Sequence, residues 1–144
     1  MKVRNGFVSN SSSSSFVVIN TSTAAEYHDE VNTVDTSQPL KVPETFGGET
    51  EFGWQIEKYY DIGSKINFAY LQAQFLGDYH IDMVKEVLIE ELNVPDVEFN
   101  VDGYIDHQSS VLEGSNREIF ESELMLKEFI FIKGSYIQND NDNH

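Results

Sequence analysis

Asp106 and His107 stand side by side, followed by Gln108 and Ser109. A carboxylate beside an imidazole can ligate a metal or relay protons, the chemistry of a metal-assisted hydrolase or nuclease. The pair follows two short apolar runs, at a point where a strand is expected to give way to a loop. Loops held on rigid scaffolds often carry function. Adjacent strand residues point to opposite faces, however, so the two side chains converge only across a kink. His80 and Asp82 sit at i and i+2 of an expected helix and point apart. A structural or solvated role is the favoured reading for each histidine, because a site needs mutual geometry that neither spacing supplies.

Other chemistries are weaker still. The tract from Asn139 to His144 alternates Asn with Asp and is rich in oxygen ligands. A calcium loop also needs Gly at its sixth position and Glu at its twelfth, and His144 takes the sixth here. A solvated tail is expected instead. Ser11 to Ser15 offer hydroxyls that no neighbouring residue type activates. The chain has no cysteine, which removes thiolate catalysis, disulfides and Cys-ligated zinc together. It contains no phosphate-cradling glycine loop and no Gly-x-Ser-x-Gly elbow. Neither a cofactor nor a metal is expected.

What stands out is charge. Nine basic residues face twenty-five acidic ones, a formal net charge of -16 over 144 residues. That balance argues against a non-specific nucleic-acid or anionic-membrane binder. It suits a partner with a basic surface, and carboxylates spaced like phosphates would mimic nucleic acid. The plain alternative is a solubilising surface. No apolar run approaches the roughly 20 residues that span a bilayer. The basic start Met1-Lys2-Val3-Arg4 is interrupted at Ser9 to Ser15 before any hydrophobic segment forms, so no secretory signal is expected. Cytoplasmic residence follows as the expectation.

The elements that would position these residues can be read from periodicity. Ten Phe, seven Tyr and one Trp supply bulk for a real core. Residues 1–25 carry no acid, and a serine run there separates Gly6-Phe7-Val8 from Phe16-Val17-Val18-Ile19, a short expected strand. Residues 21–53 are polar and aperiodic, which predicts a mobile surface excursion with Tyr27 and Phe46 as candidate interaction anchors. Trp54 to Tyr60 reads as a strand. Ile66, Ala69, Tyr70 and Ala73 recur at helical spacing, with Phe68, Leu71 and Phe75 on a second face, so a buried helix capped by Ser64 is expected. Gly77 ends it. Asp78 is the expected cap of a second helix with Ile81, Val84, Leu88 and Leu92 inward, stopped by Asn93 and Pro95. The short link makes an αα-hairpin.

Val97, Phe99 and Val101 alternate with polar residues, and Asp102-Gly103 then precedes Tyr104-Ile105. That pattern predicts a β-hairpin with a type I′ turn. Arg117 to Phe120 is a candidate third strand, and Ser122 is the expected cap of a last helix reaching Ile132. Three parts are expected: a serine-rich segment over 1–53, a folded core over 54–134 and a polar tail over 135–144. The fold class is α+β, a small, mainly antiparallel sheet packed against the αα-hairpin and the C-terminal helix.

The string Arg4-Asn5-Gly6-Phe7-Val8-Ser9-Asn10, followed by Ser11 to Ser15 and Phe16, resembles an N-terminal signature of uncharacterised small proteins of bacteriophages and some bacteria. Ile105-Asp106-His107-Gln108-Ser109, Ile119-Phe120-Glu121-Ser122 and the Asn139–His144 tract are similar to pieces of such proteins. The resemblance implies a phage or mobile-element origin and no particular reaction. The leading expectation is therefore a non-catalytic accessory protein that binds a host or phage macromolecule, most simply a protein. The alternatives are an enzyme built on Asp106 and His107, and a minor virion component.

Overall fold

Asp61 opens the first helix, its carboxylate accepting from the Ser64 amide at 2.9 Å. The computed structural model describes residues 15–19, 26–52, 57–105 and 119–140. Helix α1 runs Ile62–Leu76 and is buried on nearly every side, as two apolar faces require. Its cap is Asp61 rather than the expected Ser64, because the carboxylate is the stronger acceptor for a first-turn amide. Gly77 follows at φ 120°, a backbone conformation that side chains disfavour, and its N–H donates to Ala73 O at 2.9 Å. Helix α2 then spans Asp78–Leu92. Gly77 holds its N-cap position and Asp78 is its first residue, so Asp78 is not the cap expected. Asn93, in the left-handed region, closes it. Val84, Leu88 and Leu92 point inward.

Helix α3 covers Glu123–Phe131, and the Ser122 hydroxyl accepts from the Met125 amide at 3.1 Å, as expected. Leu126, Phe129 and Ile130 are fully buried, and Phe129 meets Phe68 of α1 with ring centroids 6.4 Å apart. The three helices thus share one core.

The strands are short: β1 Ser15–Ile19, β2 Leu40–Val42, β3 Glu51–Phe52, β4 Glu57–Tyr59, β5 Val97–Phe99, β6 Tyr104–Ile105 and β7 Tyr136–Asp140. The α+β class holds, with the sheet divided into pieces. β7 is the middle strand of an antiparallel three-stranded sheet, with β1 on one side and β4 on the other. β2 pairs with β5, and β3 with β6, each in parallel.

Four expectations change here. Val97–Phe99 and Tyr104–Ile105 do not pair with each other as a hairpin. Each takes a parallel partner from earlier in the chain, so Asp102-Gly103 links two separate ladders. The stretch 40–52 is not a surface excursion, because Leu40, Val42 and Phe52 are buried in the core. Helix α1 secures the following loop: Asn67 Nδ2 donates to Gly47 O at 3.2 Å and Glu49 O at 2.9 Å, while Ser64 Oγ accepts from the Glu49 amide at 2.8 Å. Folded structure therefore extends well before residue 54. At the other end, residues 136–140 form a central strand rather than a tail. Ile119 and Phe120 lie buried in a turn, not in a strand.

Candidate interaction surface

Helix α2 turns its solvent face outward through Asp82, Glu86 and Glu90, while Val87 and Leu88 pack inward. Helix α3 crosses the C-terminal half of α2. Its first turn exposes Glu123 and Leu124, the latter at 56% of its full surface. Between the two helices lies an open groove of about 210 Å³, lined by Val87, Glu90, Glu91, Glu123, Leu124 and Lys127. Leu124, lying over the buried Val87, gives it a narrow apolar strip. Three carboxylates and one ammonium rim that strip. Lys127 is engaged with Glu91, Nζ to Oε2 at 3.5 Å. The uncompensated charge of the groove is therefore negative. That pair is partly buried, whereas Glu90 and Glu123 are exposed and face solvent at the rim.

A second groove of about 250 Å³ lies between the last turns of α1 and strand β6, lined by Leu71, Gln74, Phe75, Gly103, Tyr104 and Ile105. Among the described residues, no charged side chain lines it. It offers apolar contact without the electrostatic selectivity of the α2–α3 groove.

The most unusual ionisable group is inside. Lys65 has 0% of its surface exposed, and Nζ donates to Ile132 O at 2.9 Å and Ser135 O at 2.8 Å. Burial pushes the ammonium down to about 7, opposed by the Asp61 carboxylate. An amine that titrates near neutrality has nucleophilic character. Here it is spent on backbone carbonyls at the end of α3, so its work is structural. Gln72, two turns further along the same face of α1, is also fully buried, and neither of its amide atoms has a hydrogen-bond partner.

Asp106 and His107 lie outside the described residues. Tyr27 is 38% exposed, its ring stacked on Phe131 at 6.0 Å. Phe46 is half-buried against the core beside Val42, Gly63 and Ile66. The two candidate anchors therefore sit apart from the α2–α3 groove and do not contribute to it. Among the described residues, no three His, Asp or Glu side chains converge as a metal site would require. No described helix is long and apolar enough to cross a membrane.

The groove escaped the sequence reading because it needs two helices that are adjacent only in space. Its one sequence signal is Leu124, an apolar residue off the inward face of α3. Lys65 had a clearer signal, a lysine within a helix that is apolar all round. Comparison with family models, with curated proteins and with solved structures returns no match for this chain.

Proposed function

We propose that this chain is an acidic, non-catalytic accessory protein of bacteriophage type that acts by binding another protein. The observation that carries this reading is Leu124, exposed within a rim formed by Glu90, Glu91 and Glu123. Such a surface fits a partner segment with one bulky apolar residue flanked by Lys or Arg. The apolar residue would cover Leu124, and the flanking cations would face the carboxylates. Apolar anchors supply most of the affinity, while rim charges set the rate of encounter. The net charge of -16 extends that attraction beyond contact distance.

The test uses a defined probe. A short peptide carrying Leu between lysines, and a matched peptide with glutamates in place of the lysines, are titrated against the labelled protein by NMR. The expected result is a set of shifts confined to Val87, Glu90, Leu124 and Lys127, seen with the basic peptide alone and weakened by salt. Equal response to both peptides, or shifts centred elsewhere, would overturn the proposal.

A further inference from the structure

Residues 26–33 cross the end of α3 like a strap. Glu26 O accepts from the Lys133 amide at 2.8 Å, and the His28 amide donates to Phe131 O at 2.9 Å. Tyr27 bridges Ile132 in antiparallel fashion and lays its ring on Phe131. Beyond them a 3-10 turn, Asp29–Thr33, ends the crossing, and Asp29 meets Lys133 Nζ at 3.5 Å. Among the described residues, the hydrogen bonds that tie the strap to the rest of the fold are directed at this one helix terminus.

Val31 packs partly buried against the core, and His28 is buried at 7% exposure. Nε2 is buried without a hydrogen-bond partner. Nδ1 lies 3.9 Å from Glu30 Oε1, too far for a hydrogen bond. Four charged groups face the imidazole. Lys65 of α1 and Lys133 after α3 oppose a positive charge, while Glu30 of the strap and Asp61 at the start of α1 favour one. Burial is the largest influence, and together with Lys65 it holds His28 below its ordinary 6.5. The Lys65 ammonium, which forms at about 7, is already present when His28 takes its proton. A protonated His28 would therefore carry a second buried cation to the same junction, with no acceptor for Nε2–H.

We propose that residues 26–33 are an acid-released strap, in which protonation of His28 lifts the segment from the end of α3 and bares Phe131 and Ile132. The physical logic is asymmetric. Lys65 is locked within α1 by two carbonyls, so the charge that can leave is the one on the strap. Any group whose charged form is favoured outside a site drives release as it titrates.

Amide protection factors, which remove the intrinsic pH dependence of exchange, test this. For the wild-type chain, protection of the His28, Val31 and Lys133 amides should fall about tenfold for each unit by which burial depresses His28, between neutral pH and about pH 5. Protection within Val84–Leu92 should hold over the same range. His28→Phe, which keeps an aromatic ring but cannot protonate, should abolish the fall. Lys65→Met, which removes the opposing cation, leaves His28 less depressed and should make the fall shallower. The proposal is overturned if the strap stays protected at about pH 5, if α2 loses protection in step with it, or if the two variants behave as wild type.

Discussion

Gly103 lies so close to Thr50 that a β-carbon on the glycine would sit 2.7 Å from the Thr50 carbonyl carbon and 2.8 Å from its Cβ. The Thr50 backbone cannot step aside, because its carbonyl accepts from the Tyr104 amide at 2.9 Å in the β3–β6 ladder. Gly103→Ala should therefore cost about 1–3 kcal/mol, the range for forced overpacking, and Gly103→Val more. Urea midpoints measure it. A midpoint equal to that of the parent would remove the close approach as the reason for glycine here.

Gln72 offers the opposite outcome. Its amide is fully buried with neither atom partnered, and leucine has nearly the same volume. Gln72→Leu should stabilise the fold by about 1–2 kcal/mol, since an unsatisfied polar group is removed and an apolar one fitted. Chemical denaturation should show a higher midpoint at unchanged slope; a lower midpoint refutes the prediction.

Lys65 gives the fold a pH dependence of predictable sign. Its folded value, about 7, lies below the 10.5 of an exposed lysine. Between these values the unfolded chain binds the extra proton and the folded chain does not. Stability should therefore rise with pH across that window, by on the order of a few kcal/mol in total, and Lys65→Met should remove that rise. Thermal melts of both chains at about pH 7 and about pH 10 decide it, and parallel profiles would show that Lys65 is not the group responsible.

The groove makes a separable claim. Glu90 and Leu124 are exposed, so Glu90→Lys and Leu124→Ser should leave stability within about 0.5 kcal/mol. Glu90→Lys should slow association with a basic peptide and flatten its salt dependence. Leu124→Ser should speed dissociation instead. Stopped-flow rates across a salt series separate the two effects, and a pair of variants with wild-type rates would eliminate this surface.

The helices were legible because their spacing is local. Val84, Leu88 and Leu92 mark the inward face of α2, and Ser122 caps α3 as its chemistry demands. Strands were legible at Phe16–Ile19, within Trp54–Tyr60, at Val97–Phe99 and at Tyr104–Ile105, but their pairings were not, because the partners are distant. Leu40-Lys41-Val42 is three residues between two prolines, and only its parallel pairing with Val97–Phe99 makes it a strand. Asp102-Gly103 carries turn chemistry, yet the glycine is there for the nearness of Thr50. Tyr136 to Asp140 lacks apolar alternation and is a strand because neighbours on both sides supply its hydrogen bonds. The acidity that rims the groove was visible only as a total, since composition does not say which carboxylates end up around an exposed leucine.

The order in which a ribosome delivers the three-stranded sheet differs from the order in which the sheet is assembled. β1 emerges first and β4 next, but the strand between them, β7, comes last of the three. Ser15 meets its partner Asp140, 125 residues further along the chain. Until then β1 and β4 are each without the strand that pairs them, and such edges invite pairing with other chains. The helical hairpin can condense early from local contacts, whereas this sheet must wait for its centre. A nascent chain halted before Tyr136 would thus hold two orphan strands, and five further residues would close both at once.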